Sequence, residues 1–247
     1  MKNRLKDGMK KGILALALTL TVGMTAAPVQ AAMADMAPGE AQGAILKQKP
    51  KVTLEHTRGK STKDVKVIKK ILEKNNLGNF QYYTDLNGNC YKWTKKGRLS
   101  ELHLNGGCLK GKVSLKGLTA LTIVSVERNH LTNLDVSGNT KLKVLNCKWN
   151  KLSKLDVSKN TKLTELECGW NQLTNLNLSK NAKLELLTCP GNKLSKLDVS
   201  KNTELKELRC DENQLTSLDL SNNPLLNRGC VSCDDNVTVT YYSDSAQ

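Results

Sequence analysis

The chain has 247 residues, with 38 Lys and Arg against 23 Asp and Glu and a net charge of +15 at pH 7. This length suits one or two domains, and charged residues at 25% exclude a protein made mostly of membrane-spanning helices. Aromatic residues at 4% are too few for an ordinary large globular core. Leucine supplies the missing apolar volume, since 30 of the 40 leucines lie between Leu99 and Leu226. Such a concentration favours an internal repeat.

Residues 1–31 have the pattern of a signal peptide. A basic segment ending at Lys11 precedes the apolar run Gly12–Val22, and small residues up to Ala31 form a cleavage pattern. The run is shorter than the roughly 20 residues of a transmembrane helix, and an uncleaved anchor is the alternative. Neither a cysteine placed to take a lipid nor an LPxTG sorting motif follows it. We therefore expect a protein that is secreted or associated with the cell surface, without a transmembrane span.

Two segments precede the leucine-rich region. Residues 32–60 lack periodicity and are predicted to form a flexible tail. Residues 61–98 are predicted to form an N-terminal cap, because Ser61 to Asp64 resembles a capping box and apolar residues then recur at helical spacing. Asp85 to Asn89 resembles a calcium loop only superficially, since its Gly falls at the wrong position, and an Asn-Gly turn is the better interpretation.

Residues 99–226 repeat with a period of 21 residues. The unit reads LxxLxCxxNxLxxLDVSxNTx and matches the leucine-rich-repeat pattern. In its first half, alternate side chains point inward from a short strand, and these strands stack in parallel about 4.8 Å apart. The second half is too short for a regular helix, so we predict extended or 3-10 segments there. The fold prediction is a leucine-rich-repeat solenoid with a parallel β-sheet on its concave face and a helical N-terminal cap.

One asparagine in each repeat lies where the chain turns off the strand. Its amide is suited to bond backbone groups that would otherwise be buried and unpaired. The column is Asn129, Asn150, Asn171, Asn192 and Asn213.

An inward column of cysteines has the same period: Cys147, Cys168, Cys189 and Cys210. In-register parallel strands hold neighbouring Cβ atoms about 4.8 Å apart, whereas a disulfide needs roughly 3.5–4.5 Å. We therefore predict a ladder of buried free thiols that act as small hydrophobic residues.

The remaining cysteines are less determined. For Cys90 and Cys108, the sequence does not distinguish a disulfide within the N-terminal cap from two free thiols. Cys230 and Cys233 have the CxxC spacing of redox and zinc sites, but a structural bridge in a C-terminal cap, residues 227–247, is favoured. Alternating residues from Asn236 to Tyr241 predict a closing strand in that cap.

The 21-residue unit, its asparagine column and its cysteine ladder resemble bacterial exported leucine-rich-repeat proteins, in particular the listerial internalins. The resemblance covers residues 99–226. It implies a curved solenoid that binds proteins or glycans outside a bacterial cell. The chain departs from internalins because it lacks a wall-sorting signal and a following immunoglobulin-like region. An exported binding module is therefore the function we expect from this resemblance.

A ligand site is predicted on the outward columns of the concave face. Trp149 and Trp170 lie in one phase on adjacent repeats, and paired indoles are typical of protein hot spots and sugar-stacking sites. The alternative is that they only cover the rim of the sheet. The other candidate ligand-binding residues are Ile123, Val144, Leu186, Glu165, Glu167 and Arg209.

No catalytic motif of the GxSxG, HExxH or P-loop type occurs, so we predict a monomeric, non-enzymatic module without cofactor or metal. Export and the acidic concave columns disfavour nucleic acid as a partner. The expected partner is a protein or glycan, including one on a host or envelope surface. The alternative function is a cell-envelope structural protein held by the lysines of its convex surface. A CxxC oxidoreductase is a third hypothesis.

Overall fold

The computed structural model describes residues 59–75, 91–106 and 109–243. These residues belong to one compact unit, Lys49–Gln247. The predictions for the signal peptide, the tail, the Asn-Gly turn and the pair Cys90 and Cys108 lie outside the described residues.

In the described residues, the regular structure consists of one α-helix, twelve short strands and a 3-10 helix. The helix α1 spans Thr62–Lys74. The strands are β1 Tyr91–Trp93, β2 Leu99–His103, β3 Lys110–Ser114, β4 Ile123–Ser125, β5 His130–Asp135, β6 Val144–Asn146, β7 Glu165–Glu167, β8 Leu186–Thr188, β9 Glu207–Arg209, β10 Ser217–Leu220, β11 Val231–Ser232 and β12 Thr238–Tyr241.

The concave sheet has eight strands in the order β1-β2-β4-β6-β7-β8-β9-β11. Seven of them are parallel and stack one per rung, and the 21-residue columns pair directly, as in Leu145 with Leu166 and Leu166 with Leu187. β1 closes the N-terminal end antiparallel to β2. The predicted leucine-rich-repeat solenoid is confirmed.

The opposite side of each rung is extended rather than helical. Two parallel pairs occur there, β3 with β5 and β10 with β12. The strand predicted near the C-terminus is β12, which adds to this side of the last rung. Within the described ranges a 3-10 helix occurs at Arg228–Cys230, just after the repeats.

Columns of leucine, valine and cysteine fill the interior. Leu121, Leu142, Leu163, Leu184 and Leu205 are each fully buried, and so are Val126 and Cys147 in another inward column. Because each rung buries the same few medium-sized side chains against its neighbours, the solenoid needs few aromatic rings. This explains the aromatic-poor composition.

Helix α1 is tied to the first repeat by a buried charge. Ser61 Oγ accepts a hydrogen bond from the Asp64 backbone N–H (3.4 Å), which caps the helix. The fully buried Asp64 carboxylate accepts bonds from Arg98 Nε and Nη2 (2.9 and 3.0 Å) and from the Leu99 backbone N–H (2.8 Å). The hydrogen bond that Arg98 donates to Asp64 raises the pKa of the Arg98 guanidinium. Helix and first strand are therefore joined by a fork of charge-assisted bonds.

Candidate functional site

The asparagine column after the strands satisfies backbone groups on two successive rungs. Asn171 Nδ2 donates to the carbonyls of Cys147, Cys168 and Gly169 (3.0 to 3.2 Å), and its Oδ1 accepts from the Leu152 N–H (2.9 Å). The same pattern repeats along the first asparagine column, Asn129, Asn150, Asn171, Asn192 and Asn213. This edge of the solenoid is thus held in a fixed backbone geometry.

The residue immediately before each of these asparagines has a left-handed backbone. Trp149 and Trp170 have φ of 56° and 55°, and Gly191 has φ of 61° at the same position of the next rung. The remaining non-glycine members are Arg128 and Glu212. A left-handed conformation costs an L-residue roughly 1–2 kcal/mol, and glycine or asparagine is the usual occupant. Two tryptophans therefore occupy positions that the fold itself favours for glycine.

The two indoles lie against each other. Their ring centroids are 4.6 Å apart with an interplanar angle of 10°, and 45% of Trp149 is exposed. Because the left-handed turns place both side chains outside the inward columns, the rings project from the edge of the sheet. The structure thus brings together the two tryptophans of the predicted site.

Gly191 allows this stack to form. A Cβ at this glycine would lie 2.6 to 3.0 Å from three atoms of the Trp170 six-membered ring. One face of Trp170 therefore lies on Gly191 and the other on Trp149. Among the described residues, neither an aromatic ring nor a cation stacks on the second face of Trp149, which is turned toward the rung of Arg128.

The apolar candidates lie at the other end of the strands. Ile123, Val144 and Leu186 are half-buried in one column where the strands begin, five positions before the tryptophan column in register. Two columns separate them from the indoles: one contains Glu167, and the other contains Lys148. The predicted site is therefore divided into two areas, at opposite edges of the concave sheet.

The charged candidates are partly neutralised on the face itself. Lys148 Nζ lies 2.5 Å from a Glu167 carboxylate oxygen, and Arg209 Nε lies 2.9 Å from Glu207. No ion pair joins Glu165 to another residue of the described ranges. The concave face thus has less unpaired negative charge than its sequence indicates.

An open depression of about 260 Å³ lies where β7 to β9 begin. It contains two of the predicted candidates, Glu165 and Leu186, and a Lys206–Glu185 ion pair of 2.5 Å crosses its edge. The remaining lining residues are Thr164 and Glu207.

The cysteine ladder runs through the core behind these columns. Cys147, Cys168, Cys189 and Cys210 are free and buried. Burial, and secondarily Glu167, raises the pKa of the Cys147 thiol to about 12, and burial also raises the pKa of Cys168 well above its usual value. Protonated thiols are poor nucleophiles, so this column functions as packing.

The prediction that Cys230 and Cys233 form a structural disulfide is wrong, because both thiols are free in the structure. The pairing of β11 with β9 sets Ser232 opposite Arg209, so that Cys233 extends the ladder beyond Cys210. Cys230 thus lies in the 3-10 helix after the repeats, whereas Cys233 lies in the cysteine column. The spacing from Cys210 to Cys233 is 23 residues, which conceals the column from a search at 21.

Sequence reasoning also missed the role of a second asparagine column, Asn139, Asn160, Asn181, Asn202 and Asn223. Each is fully buried on the edge before the strands. Asn181 Nδ2 donates to the carbonyls of Val157 and Asn160 (3.1 and 3.0 Å), while its Oδ1 is buried without a hydrogen-bond partner. The 21-residue spacing of these asparagines was the available signal.

Within the described ranges, no helix is both long and apolar enough to cross a membrane. Those ranges also contain no group of three or more His, Cys, Asp or Glu side chains placed to hold a metal ion.

No protein-family model and no curated sequence matches this chain. Among solved structures, the ectodomain of the receptor kinase SOBIR1 from Arabidopsis thaliana matches 63% of this chain and 95% of its own, at 20% identity and a TM-score of 0.51. The functional domain of InlJ from Listeria monocytogenes, which includes a cysteine ladder, matches 69% of this chain at 22% identity and a TM-score of 0.34. A Leptospira interrogans leucine-rich-repeat protein matches the same share at 22% identity and a TM-score of 0.47.

The chain spans about half the length of these two bacterial structures, 52% and 45% respectively. At such identities the likeness concerns the fold. The stacked parallel strands and the paired repeat columns, together with the likeness of fold to the SOBIR1 ectodomain, lead to one conclusion: the chain is a leucine-rich-repeat solenoid.

Proposed function

We propose that this chain is an exported, non-catalytic binding module that contacts a protein partner through Trp149 and Trp170. The observation that carries the proposal is the stacked indole pair, half exposed at Trp149 and held in two left-handed backbone positions. Strained positions occupied by large side chains cluster at functional sites. Tryptophan is also enriched among the residues that dominate binding energy.

The stack favours a protein over a glycan as the partner. Sugar rings bind to the faces of aromatic side chains, but Trp149 and Gly191 cover both faces of Trp170. One indole face, that of Trp149, is left for stacking. The edges of both rings are suited instead to an apolar side chain of a protein partner.

The area available sets the size of the interface. Seven parallel rungs at about 4.8 Å span about 34 Å, and a standard interface buries roughly 800 Å² per partner. The indole edge alone does not supply that area. We therefore expect the partner to extend over the column of Lys148 toward Leu186 and Glu165.

Export is part of the proposal and rests on the signal-peptide pattern of residues 1–31. The leucine-rich-repeat fold shared with a receptor ectodomain is consistent with binding outside the cell. The absence of a catalytic motif supports a non-enzymatic role.

The test is a binding screen of the full chain against arrays of extracellular proteins and of glycans, repeated with the variant Trp149→Asn/Trp170→Asn. Asparagine tolerates the left-handed backbone, so the turns stay intact. The matched control is Leu225→Asn/Tyr242→Asn, which removes the other exposed large apolar side chains, 51% and 47% exposed. A protein bound by the wild type and the control but not by the tryptophan variant supports the proposal. Equal binding by the tryptophan variant, or binding only to glycans, contradicts it.

A further inference from the structure

The edge of the solenoid that precedes the concave strands carries a regular array of lysines. From the rung of Asn139 onward, each rung there makes two consecutive β-turns that share the asparagine of the second column. On one rung these are Val157–Asn160 and Asn160–Leu163, closed by backbone bonds of 2.9 and 3.0 Å. The next rung repeats them at Leu178–Asn181 and Asn181–Leu184, also at 2.9 and 3.0 Å.

A lysine occupies each of these four turns: Lys159, Lys162, Lys180 and Lys183, here called the turn lysines. All four are exposed, and no ion pair joins any of them to another described residue. Asn160 and Asn181 donate to carbonyls of the preceding rungs and so hold the turn backbones. The ammonium groups thus extend from a rigid frame that repeats about every 4.8 Å.

A column of aspartates runs beside the turn lysines, and one of its positions is occupied by Asn177. Asp156 accepts a bond from the Ser158 N–H (2.9 Å) just before Lys159. At the same position of the next rung, Asn177 makes the equivalent bond to Ser179 (3.0 Å) without a negative charge. Glu185, which follows Lys183, is paired with Lys206. The charges of the four lysines are therefore not offset by ion pairs within the described residues.

Two further lysines extend the two columns of turn lysines. Lys141 precedes Lys162 by one rung, and Lys201 follows Lys180, so each column holds three lysines on successive rungs. By contrast, two other exposed lysine pairs of the repeats, Lys151 with Lys193 and Lys154 with Lys196, occupy alternate rungs. Cations on successive rungs give a line of charge along the stacking axis.

We propose that the turn lysines bind a linear polyanion, a polymer carrying sulfate or phosphate groups, laid along the stacking axis. A flexible chain meets successive rungs in turn and releases its counterions as each lysine binds. This surface lies on the edge before the strands, whereas the indoles lie on the edge after them.

The test measures binding of heparin, a linear sulfated polymer, to the full chain as a function of salt. The site variant is Lys159→Gln/Lys162→Gln/Lys180→Gln/Lys183→Gln. The control is Lys151→Gln/Lys154→Gln/Lys193→Gln/Lys196→Gln, which removes the same charge from exposed lysines on alternate rungs. Thermal unfolding of both variants shows that the fold is kept, because all eight side chains are exposed.

We expect the site variant to bind heparin at least about tenfold more weakly than the control. We also expect its salt dependence to become shallower by about one unit of log–log slope for each lysine that contacts the polymer. Equal weakening in the two variants would mean that net charge alone attracts the polymer and would overturn the proposal. It is also overturned if the site variant loses binding to vesicles of phosphatidylcholine and phosphatidylserine but keeps heparin binding.

Discussion

The two edges of the solenoid are both held by a buried asparagine column, but the two columns are satisfied differently. After the strands, Asn171 donates three hydrogen bonds and accepts one. Before the strands, Asn181 donates two and its Oδ1 accepts none. The fully satisfied edge carries left-handed tryptophans, whereas the other carries exposed lysines on ordinary turns. The more tightly bonded edge is thus the one that tolerates backbone strain.

The largest difference between the edges is expected from deleting one asparagine of each column. Asn171→Ala leaves three carbonyls and one N–H without this partner, and we expect a loss of about 4 kcal/mol in the free energy of unfolding. Asn181→Ala removes the donor to two carbonyls but also removes an unpaired oxygen, so about 2 kcal/mol is expected. Urea unfolding of both variants measures the difference. Equal losses would show that the unpaired Oδ1 has no energetic consequence.

One glycine on each edge gives the next comparison. A Cβ at Gly138 would lie 2.0 Å from the Lys116 carbonyl oxygen, a backbone atom. We expect Gly138→Ala to cost about 3 kcal/mol, since the backbone must shift. This crowding also explains why the column of Lys159, Lys180 and Lys201 begins one rung later.

At Gly191 the nearest atoms belong to the Trp170 ring, which can move, although the positive φ adds strain. We expect Gly191→Ala to lower the free energy of unfolding by about 2 kcal/mol. It should also change the tryptophan fluorescence, because the Trp170 ring must move away from residue 191. Thermal unfolding and fluorescence together test both glycines. A larger loss at Gly191 than at Gly138 would reverse the expected order.

The smallest predicted effect concerns the stability of the fold at acidic pH. Hydrogen bonds from Ser158 and Ser200 lower the pKa of Asp156 and of Asp198, respectively. A carboxylate whose pKa is lower in the folded state stabilises the fold above its unfolded pKa, and this contribution is lost as the pH falls through the folded value. We therefore expect stability to decline below about pH 4.

The variant Ser158→Ala/Ser200→Ala should weaken this decline, since both carboxyl groups then titrate closer to their unfolded values. Ser179→Ala is the matched control, because its partner Asn177 makes the same turn but does not titrate. Urea midpoints between pH 3 and pH 7 measure the effect. An identical pH dependence in the wild type and the double serine variant would contradict the assignment.

The repeat columns explain what could be predicted from the sequence. Leu145, Leu166 and Leu187 recur at 21 residues, and equal spacing places them in register on parallel strands. The position of the tryptophans in the repeat was equally visible. Their left-handed backbone was not, because hydrophobic periodicity carries no information on the sign of φ. The glycines of the same column, Gly106 and Gly191, were the indirect signs of it.

Other features could not be predicted from the sequence, because they depend on changes in repeat length and on side-chain geometry. Cys233 was not recognised as a member of the cysteine column, because the last rung is longer than the others. The stacking of Trp149 on Trp170 covers ring faces that the sequence left available to a sugar. The division of the candidate residues between two edges depended on where each strand begins and ends, which the pattern fixes only to within a few residues.

The most direct measurement is the free energy of unfolding of Trp149→Asn, the exposed end of the indole stack. If the pair is built for contact, lost stacking of about 1 kcal/mol is offset by relief of the left-handed backbone, and the variant stays within about 1 kcal/mol of the wild type. A loss of about 3 kcal/mol or more would show that the indole holds the edge of the sheet together and would contradict a binding role for the pair.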